Sequence, residues 1–304
     1  YYDPETEEFV VVSDDPEFDI AEQVTHAHEF VHALQDQQFD LERINDEELN
    51  SDAAFAFRAL AEGDATLVQA FYLQTLTPSE TLAYFAEADD VNTDSANAVP
   101  EVILNDLAFP YIEGSLFAQA LYVDDGFAAI DAAYAAPPVS TEHILHPERY
   151  LAGELPLQVS LPPLTATLGV GWNLLEEDVF GEFYLRQYLS QQLDDEATDG
   201  AATGWGGDRY AVYWNEETQQ LVMALLVEWD SAEDSTEFAA AYESYGTAMT
   251  GSEPELQENG ALCWQAVDAI CLQTTGQRTI IVVAPDAEIN LLLLDVVAAA
   301  DEAP

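Results

Sequence analysis

Val24-Thr25-His26-Ala27-His28-Glu29-Phe30-Val31-His32-Ala33-Leu34-Gln35-Asp36-Gln37-Gln38 is the stretch around which the chain is organised. Within it, His28-Glu29-Phe30-Val31-His32 has the spacing H-E-x-x-H. Residues four apart share one face of a helix, so both imidazoles can bind a single Zn²⁺. Glu29 projects about 100° to the side, where a carboxylate can take a proton from a metal-bound water. The expectation is a zinc-dependent peptidase, or a descendant of one. The helix itself is predicted on separate grounds. Asp19 with Glu22 makes a capping-box pattern, and Ile20, Val24, Ala27, Val31 and Leu34 form one apolar stripe. His28, His32 and Asp36 run along the edge of that stripe. Two plainer explanations compete: coincidence, and half-buried helix histidines bonded to nearby carboxylates. The second is the usual fate of a lone histidine, but it accounts poorly for a pair flanking a Glu.

A second helix is predicted from about Asp52 to Leu76, containing Arg58-Ala59-Leu60-Ala61-Glu62-Gly63-Asp64-Ala65. Glycine in mid-helix costs about 1 kcal/mol relative to alanine and usually marks a close helix crossing. Such a crossing carries Glu62 toward a partner helix as third zinc ligand, after His28 and His32. Zinc needs a third protein group, and no third histidine follows the motif. The plainer alternative is an Arg58–Glu62 ion pair, four residues apart on a solvated face.

His28-Glu29-x-x-His32 followed by Glu62-Gly63-x-Ala65 resembles the gluzincin superfamily, the thermolysin and aminopeptidase-N type of zinc peptidase. The resemblance implies a zincin fold and a glutamate ligand on the downstream helix. The interval from His32 to Glu62 is longer here than in those enzymes. The wider run, through Ala33-Leu34-Gln35-Asp36-Gln37, is similar to uncharacterised exported proteins of haloarchaea and bacteria. Metzincins are excluded, because they require Gly at position 35 and His at 38, and both are Gln. A third helix, from about Glu101 to Tyr122, holds Tyr111-Ile112-Glu113-Gly114. This resembles the Tyr-x-Lys-Gly segment of aminopeptidase-N-type enzymes, with Glu113 in place of the lysine. By that resemblance Tyr111 stabilises the oxyanion. A core tyrosine beside Phe109 and Phe117 is the alternative.

All five histidines lie within residues 26–32 and 143–146, which suggests that the two segments meet at one site. His146 or His143 can stabilise the oxyanion, donate a proton to the leaving amine, or replace Glu62 as ligand. Arg149 can hold a substrate carboxylate, and Tyr150 is a further candidate contact. The alternative is a helix cap with structural histidines. Asp36, one turn beyond His32, is the candidate for orienting a ligand imidazole.

Across the whole chain, 59 Asp plus Glu stand against 6 basic residues, all arginine, for a formal net charge of −53. Such a surface repels itself in dilute buffer, and molar salt screens the repulsion to within a few ångströms. The charge reads as adaptation to near-saturating salt; the alternative, an acidic interaction protein, would usually gather it in tails, whereas here it is spread along the chain. Binding to nucleic acid is excluded for want of cations. The longest apolar run, Leu291 to Ala300, is interrupted by Asp295 and too short to span a membrane. The start at Tyr1, without Met or leader, reads as a chain trimmed from a longer precursor. Cys263 and Cys271 sit in a predicted hairpin, where a disulfide would favour an exported protein.

Residues 1–13 read as a hairpin of the kind that lies beside a zincin metal helix, and 77–100 as polar, with a loop at 89–95. Beyond Pro162-Pro163 a helix is predicted from about Leu174 to Leu193, then a linker from Asp194 to Thr203. Strands at 210–215, 219–229, 262–266, 270–273 and 279–283, with helices near 231–249 and 287–300, complete an antiparallel layer. The expected architecture is therefore α+β. A mainly helical zincin-like domain occupies 1–200, and a smaller antiparallel α+β domain for support or partner recognition occupies 201–304. The expected function is hydrolysis of a peptide or protein substrate by a Zn²⁺-activated water with Glu29 as general base, outside the cell or at its surface. The rival is a non-catalytic cell-surface or interaction protein on a zincin scaffold.

Overall fold

A computed structural model describes residues 1–12, 17–45, 49–88 and 99–300. The chain is α+β, helical in its N-terminal half and built on an antiparallel sheet in its C-terminal half. It divides into two compact units, Tyr1–Glu154 and Leu155–Pro304. The boundary thus falls well before the composition-based one at 200/201, because residues 172–178 are a strand of the second unit's sheet.

The first unit opens with β1 (Tyr2–Asp3) and β2 (Glu8–Phe9), an antiparallel pair as expected. The Asp3 carboxylate accepts from the backbone N–H of Glu5 and Thr6, closing the turn. Helix α1 (Ile20–Phe39) starts at the Asp19–Glu22 capping box. Its buried face is Val24, His28, Val31 and Gln35, whereas Leu34 is half exposed. The inward face is therefore rotated from the apolar stripe, because α1 turns His28 and a hydrogen-bonded glutamine toward its neighbour.

Helix α2 (Ser51–Leu73) is capped by Asn50, whose side chain accepts from Ala53 N–H. Helix α3 (Pro78–Ala88) occupies part of the segment read as polar and irregular. The loop expected at 89–95 lies outside the described residues. Next come α4 (Glu101–Asp125), α5 (Phe127–Ala135), α6 (Thr141–Leu145) and α7 (Pro147–Ala152). The core of this unit is the α2–α4 packing, in which Phe55 stacks on Phe109 with ring centroids 5.1 Å apart. A Cβ on Gly63 would lie 2.0 Å from the Gly114 carbonyl oxygen, and one on Gly114 would lie 2.2 Å from that of Ala59. Gly63 does mark a close crossing, but with α4. Glu62, one residue earlier, faces α1.

The second unit contains α8 (Thr165–Leu168), β3 (Trp172–Asp178), α9 (Gly181–Leu189) and α10 (Asp195–Ala202). They are followed by β4 (Trp205–Asn215), β5 (Gln220–Trp229), α11 (Ala232–Thr250), β6 (Glu255–Leu256) and β7 (Leu262–Trp264). The unit ends with β8 (Ala269–Thr275), β9 (Arg278–Ala284) and α12 (Ala287–Ala299). Strand β3 and helix α9 replace the single helix expected over 174–193, and α10 replaces the expected linker. The strands form one antiparallel sheet in the order β3-β4-β5-β9-β8-β7-β6.

Side chains alternate along each strand, so the sheet feeds two cores. Val222, Ala224, Leu226, Ile280 and Val282 pack with Leu293, Leu294 and Val297 of α12 on one face. Leu225, Val227, Trp229 and Ile281 pack with Phe238, Tyr242 and Tyr245 of α11 on the other. Cys263 and Cys271 are cross-strand partners joined by a disulfide. Among the described residues no helix is long and apolar enough to cross a membrane.

Candidate metal centre

Helices α1 and α2 bring three donor atoms together. His28 Nε2 lies 3.1 Å from Glu62 Oε2, His32 Nε2 lies 3.3 Å from the same oxygen, and the two ring nitrogens are 3.1 Å apart. Donors placed tetrahedrally around Zn²⁺, at about 2.0–2.1 Å each, stand about 3.3 Å from one another. Two imidazoles and a carboxylate at these separations fit that ion in both chemistry and spacing. In the metal-free arrangement burial works against the Glu62 charge, but the hydrogen bonds from His28 and His32 outweigh it and hold the carboxyl down at about 2. Burial likewise disfavours a charged His32, yet the bond to Glu62 and its charge raise the imidazole's pKa above the usual value.

The tautomer of His32 follows from its neighbours. Buried Gln35 places its amide nitrogen on two acceptors, the Ala61 carbonyl at 3.0 Å and Asp64 Oδ2 at 2.8 Å. Its oxygen must therefore face His32 Nδ1, 2.9 Å away, and accept a hydrogen bond from its N–H. With the hydrogen on Nδ1, the Nε2 lone pair of neutral His32 points into the centre. Tyr134 donates to Asp64 at 3.2 Å and continues the chain. Among the described residues His28 has no such orienter, and its Nδ1 is buried without a hydrogen-bond partner. That ring is held by contact, stacked on Tyr111 with centroids 6.1 Å apart and edge-on to His32.

Glu29 is outside the triangle. It is half-buried, and its Oε2 accepts from the backbone N–H of Tyr2 in β1 at 2.8 Å. Its charge acts on both His32 and Tyr111. Tyr111 is half exposed rather than a core tyrosine. Burial of part of the ring, followed by the charge of Glu62, pushes its hydroxyl up to about 12. It reaches the site because α4 crosses α2 at Gly63 and Gly114, three residues beyond Tyr111.

The remaining expected contributors are engaged elsewhere. Asp36 accepts from Tyr2 Oη–H at 2.7 Å and from Leu41 N–H at 3.2 Å, so it anchors the N-terminal hairpin while Gln35 orients the imidazole. His143 is buried, with Val139 N–H on Nδ1 and Nε2 donating to the Glu154 carbonyl. Burial holds its pKa below the usual value. Arg149 pairs with Glu142 and Glu154, and Tyr150 donates to the Ala136 carbonyl. His146 lies 3.8 Å from Glu148. Neither His143 nor His146 belongs to the group of donors formed by His28, His32 and Glu62. The 143–150 segment thus holds α6 and α7 in place with the ring nitrogens and guanidinium that sequence reading offered to a substrate.

Gln35, Asp64 and Tyr134 were not singled out from the sequence. A signal for two of them was present: Gln35 follows His28 by seven residues on the same helix face, and Asp64 lies within Glu62-Gly63-Asp64-Ala65. Residues 172–293 match the model of a family described as a domain of unknown function (DUF8575), a match that falls within the second unit. No curated protein and no solved structure matches the chain.

Proposed function

We propose that this chain is a zinc-dependent peptidase of the gluzincin type, with His28, His32 and Glu62 holding the ion. The observation that carries this reading is the triangle of donor atoms 3.1–3.3 Å apart, with the Glu29 carboxylate left outside it. Zinc, when bound there, supplies a water acidified toward neutrality and polarises the scissile carbonyl. Glu29 takes the proton of the attacking water on Oε1, the oxygen that Tyr2 does not engage, and returns it to the leaving amine. Tyr111 keeps its proton throughout the neutral range and donates a hydrogen bond to the oxyanion. The net charge of −53 and the Cys263–Cys271 disulfide support a protein working outside the cell in high salt.

Metal analysis and turnover test this together. The expected result is about one zinc per chain and cleavage of a broad peptide library in molar salt. Glu29→Gln should keep the zinc and lose at least about two orders of magnitude in rate, whereas Glu62→Gln and His28→Ala should lose the metal. Equal behaviour of wild type and Glu29→Gln sinks the reading. The rival, a non-catalytic surface module on the same scaffold, draws support from the Tyr2 N–H that occupies one oxygen of Glu29. It predicts zinc without cleavage.

A further inference from the structure

The six arginines are all placed in the structure, and five have partners among the described residues. Arg149, Arg186, Arg209 and Arg278 form ion pairs with carboxylates. Arg43 donates to the Tyr134 carbonyl and lies over the Phe57 ring. Arg58 is exposed and, among the described residues, makes no ion pair and no hydrogen bond. A guanidinium without an ion pair among the described residues of so acidic a chain calls for an explanation. The obvious partner, Glu62 one turn later, is turned away, because its Oε2 faces His28 and His32.

Arg58 lines a cleft of about 260 Å³ together with His32 and Glu62, and Leu41 and Phe57 supply apolar wall. Four residues of helix advance about 6 Å, and an extended peptide covers about 3.3–3.6 Å per residue. A carboxylate held at Arg58 therefore belongs to a residue next to the bond whose carbonyl lies at His32 and Glu62. At long range the −53 field repels an acidic peptide, but in 1 M salt the screening length is about 3 Å. Contact chemistry then decides, and a guanidinium binds a carboxylate through two parallel hydrogen bonds.

Resting on the peptidase reading above, we propose that Arg58 is a specificity-determining residue that binds a substrate carboxylate on the residue adjoining the scissile bond. The carboxylate has two sources. It is either the C-terminal α-carboxylate, which would make the enzyme a carboxypeptidase, or an Asp or Glu side chain within a longer peptide. Arg149, offered for this role by sequence reasoning, is already paired.

Two matched peptide pairs separate the sources: one free or amidated at the C-terminus, the other with Asp or Asn beside the cleaved bond. Their binding to zinc-loaded, full-length Glu29→Gln protein in molar salt is measured by calorimetry. The acidic member of one pair should bind about tenfold more tightly. Adding Arg58→Gln should bring the ratio to about one, and Arg58→Lys should keep part of it. Circular dichroism and zinc content check that each variant is folded and loaded. A ratio of one with Arg58 present, or a ratio unchanged by Arg58→Gln, overturns the proposal, as does failure of every peptide to bind. If wild type cleaves none of these peptides yet the binding preference depends on Arg58, the peptidase reading falls and the carboxylate site stands.

Discussion

Gln35 is buried, and its amide is locked by donors and acceptors on both sides, so it cannot rotate without stranding a polar atom. It thereby fixes which nitrogen of His32 carries the hydrogen. Gln35→Leu keeps the approximate volume and removes the orienter. Zinc affinity in a competition assay with a chelating dye should fall about 10–100-fold. Without metal, the triad also has a pH signature. The Glu62 pKa is depressed from 4.5 to about 2, so its contribution to stability is complete above about pH 4.5 and lost as pH falls through about 2. That of His32 is raised from 6.5, so its contribution is complete below about pH 6.5 and lost as pH rises through the raised value. In chelator-treated protein, the gap in denaturation midpoint between wild type and Glu62→Gln should be widest between about pH 4.5 and 6.5. A gap independent of pH would show that the pair is not charged.

Among the elements, α2 is the one that faces two ways. Gly63 lets α4 approach until a single added methyl would collide with backbone, while the adjacent Glu62 turns toward α1. Gly63→Ala should destabilise the protein by about 1–3 kcal/mol or more, the usual cost of overpacking, and should reduce zinc occupancy through Glu62. Gly200→Ala in α10 is the control: nothing lies within 4 Å of the added carbon. Helix propensity then predicts a small gain of about 0.5–1 kcal/mol. Chemical denaturation of both variants measures the contrast. Helix α1 was legible because its Asp19–Glu22 cap forms and Val24 and Val31 of the predicted stripe are buried. Strand β3 was not, since its exposed Leu174 and Leu175 carry no alternation and pairing with β4 alone decides their state.

For the whole molecule, a net charge of −53 makes electrostatic self-repulsion a property of the chain as a whole rather than of any one contact. Each of 59 carboxylates is tolerable alone, and together they destabilise any compact state that salt does not screen. Screening lengthens from about 3 Å at 1 M salt to about 10 Å at 0.1 M. Thermal melts followed by circular dichroism should therefore show the midpoint falling continuously as KCl is diluted over that range. A midpoint insensitive to salt would contradict the reading of the charge as an adaptation.

The sequence alone determined the donor types, the helix that carries two of them and the strongly acidic charge, because these depend on local spacing and composition. Tertiary structure decided the rest: that Glu62 completes the triad, that Gln35 rather than Asp36 orients His32, and that His143 and Arg149 serve packing while Arg58 has no ion pair among the described residues. Most of these depend on which distant residues meet in space, and a mid-helix glycine such as Gly63 announces a close crossing without naming the helix it meets, here α4 at Gly114.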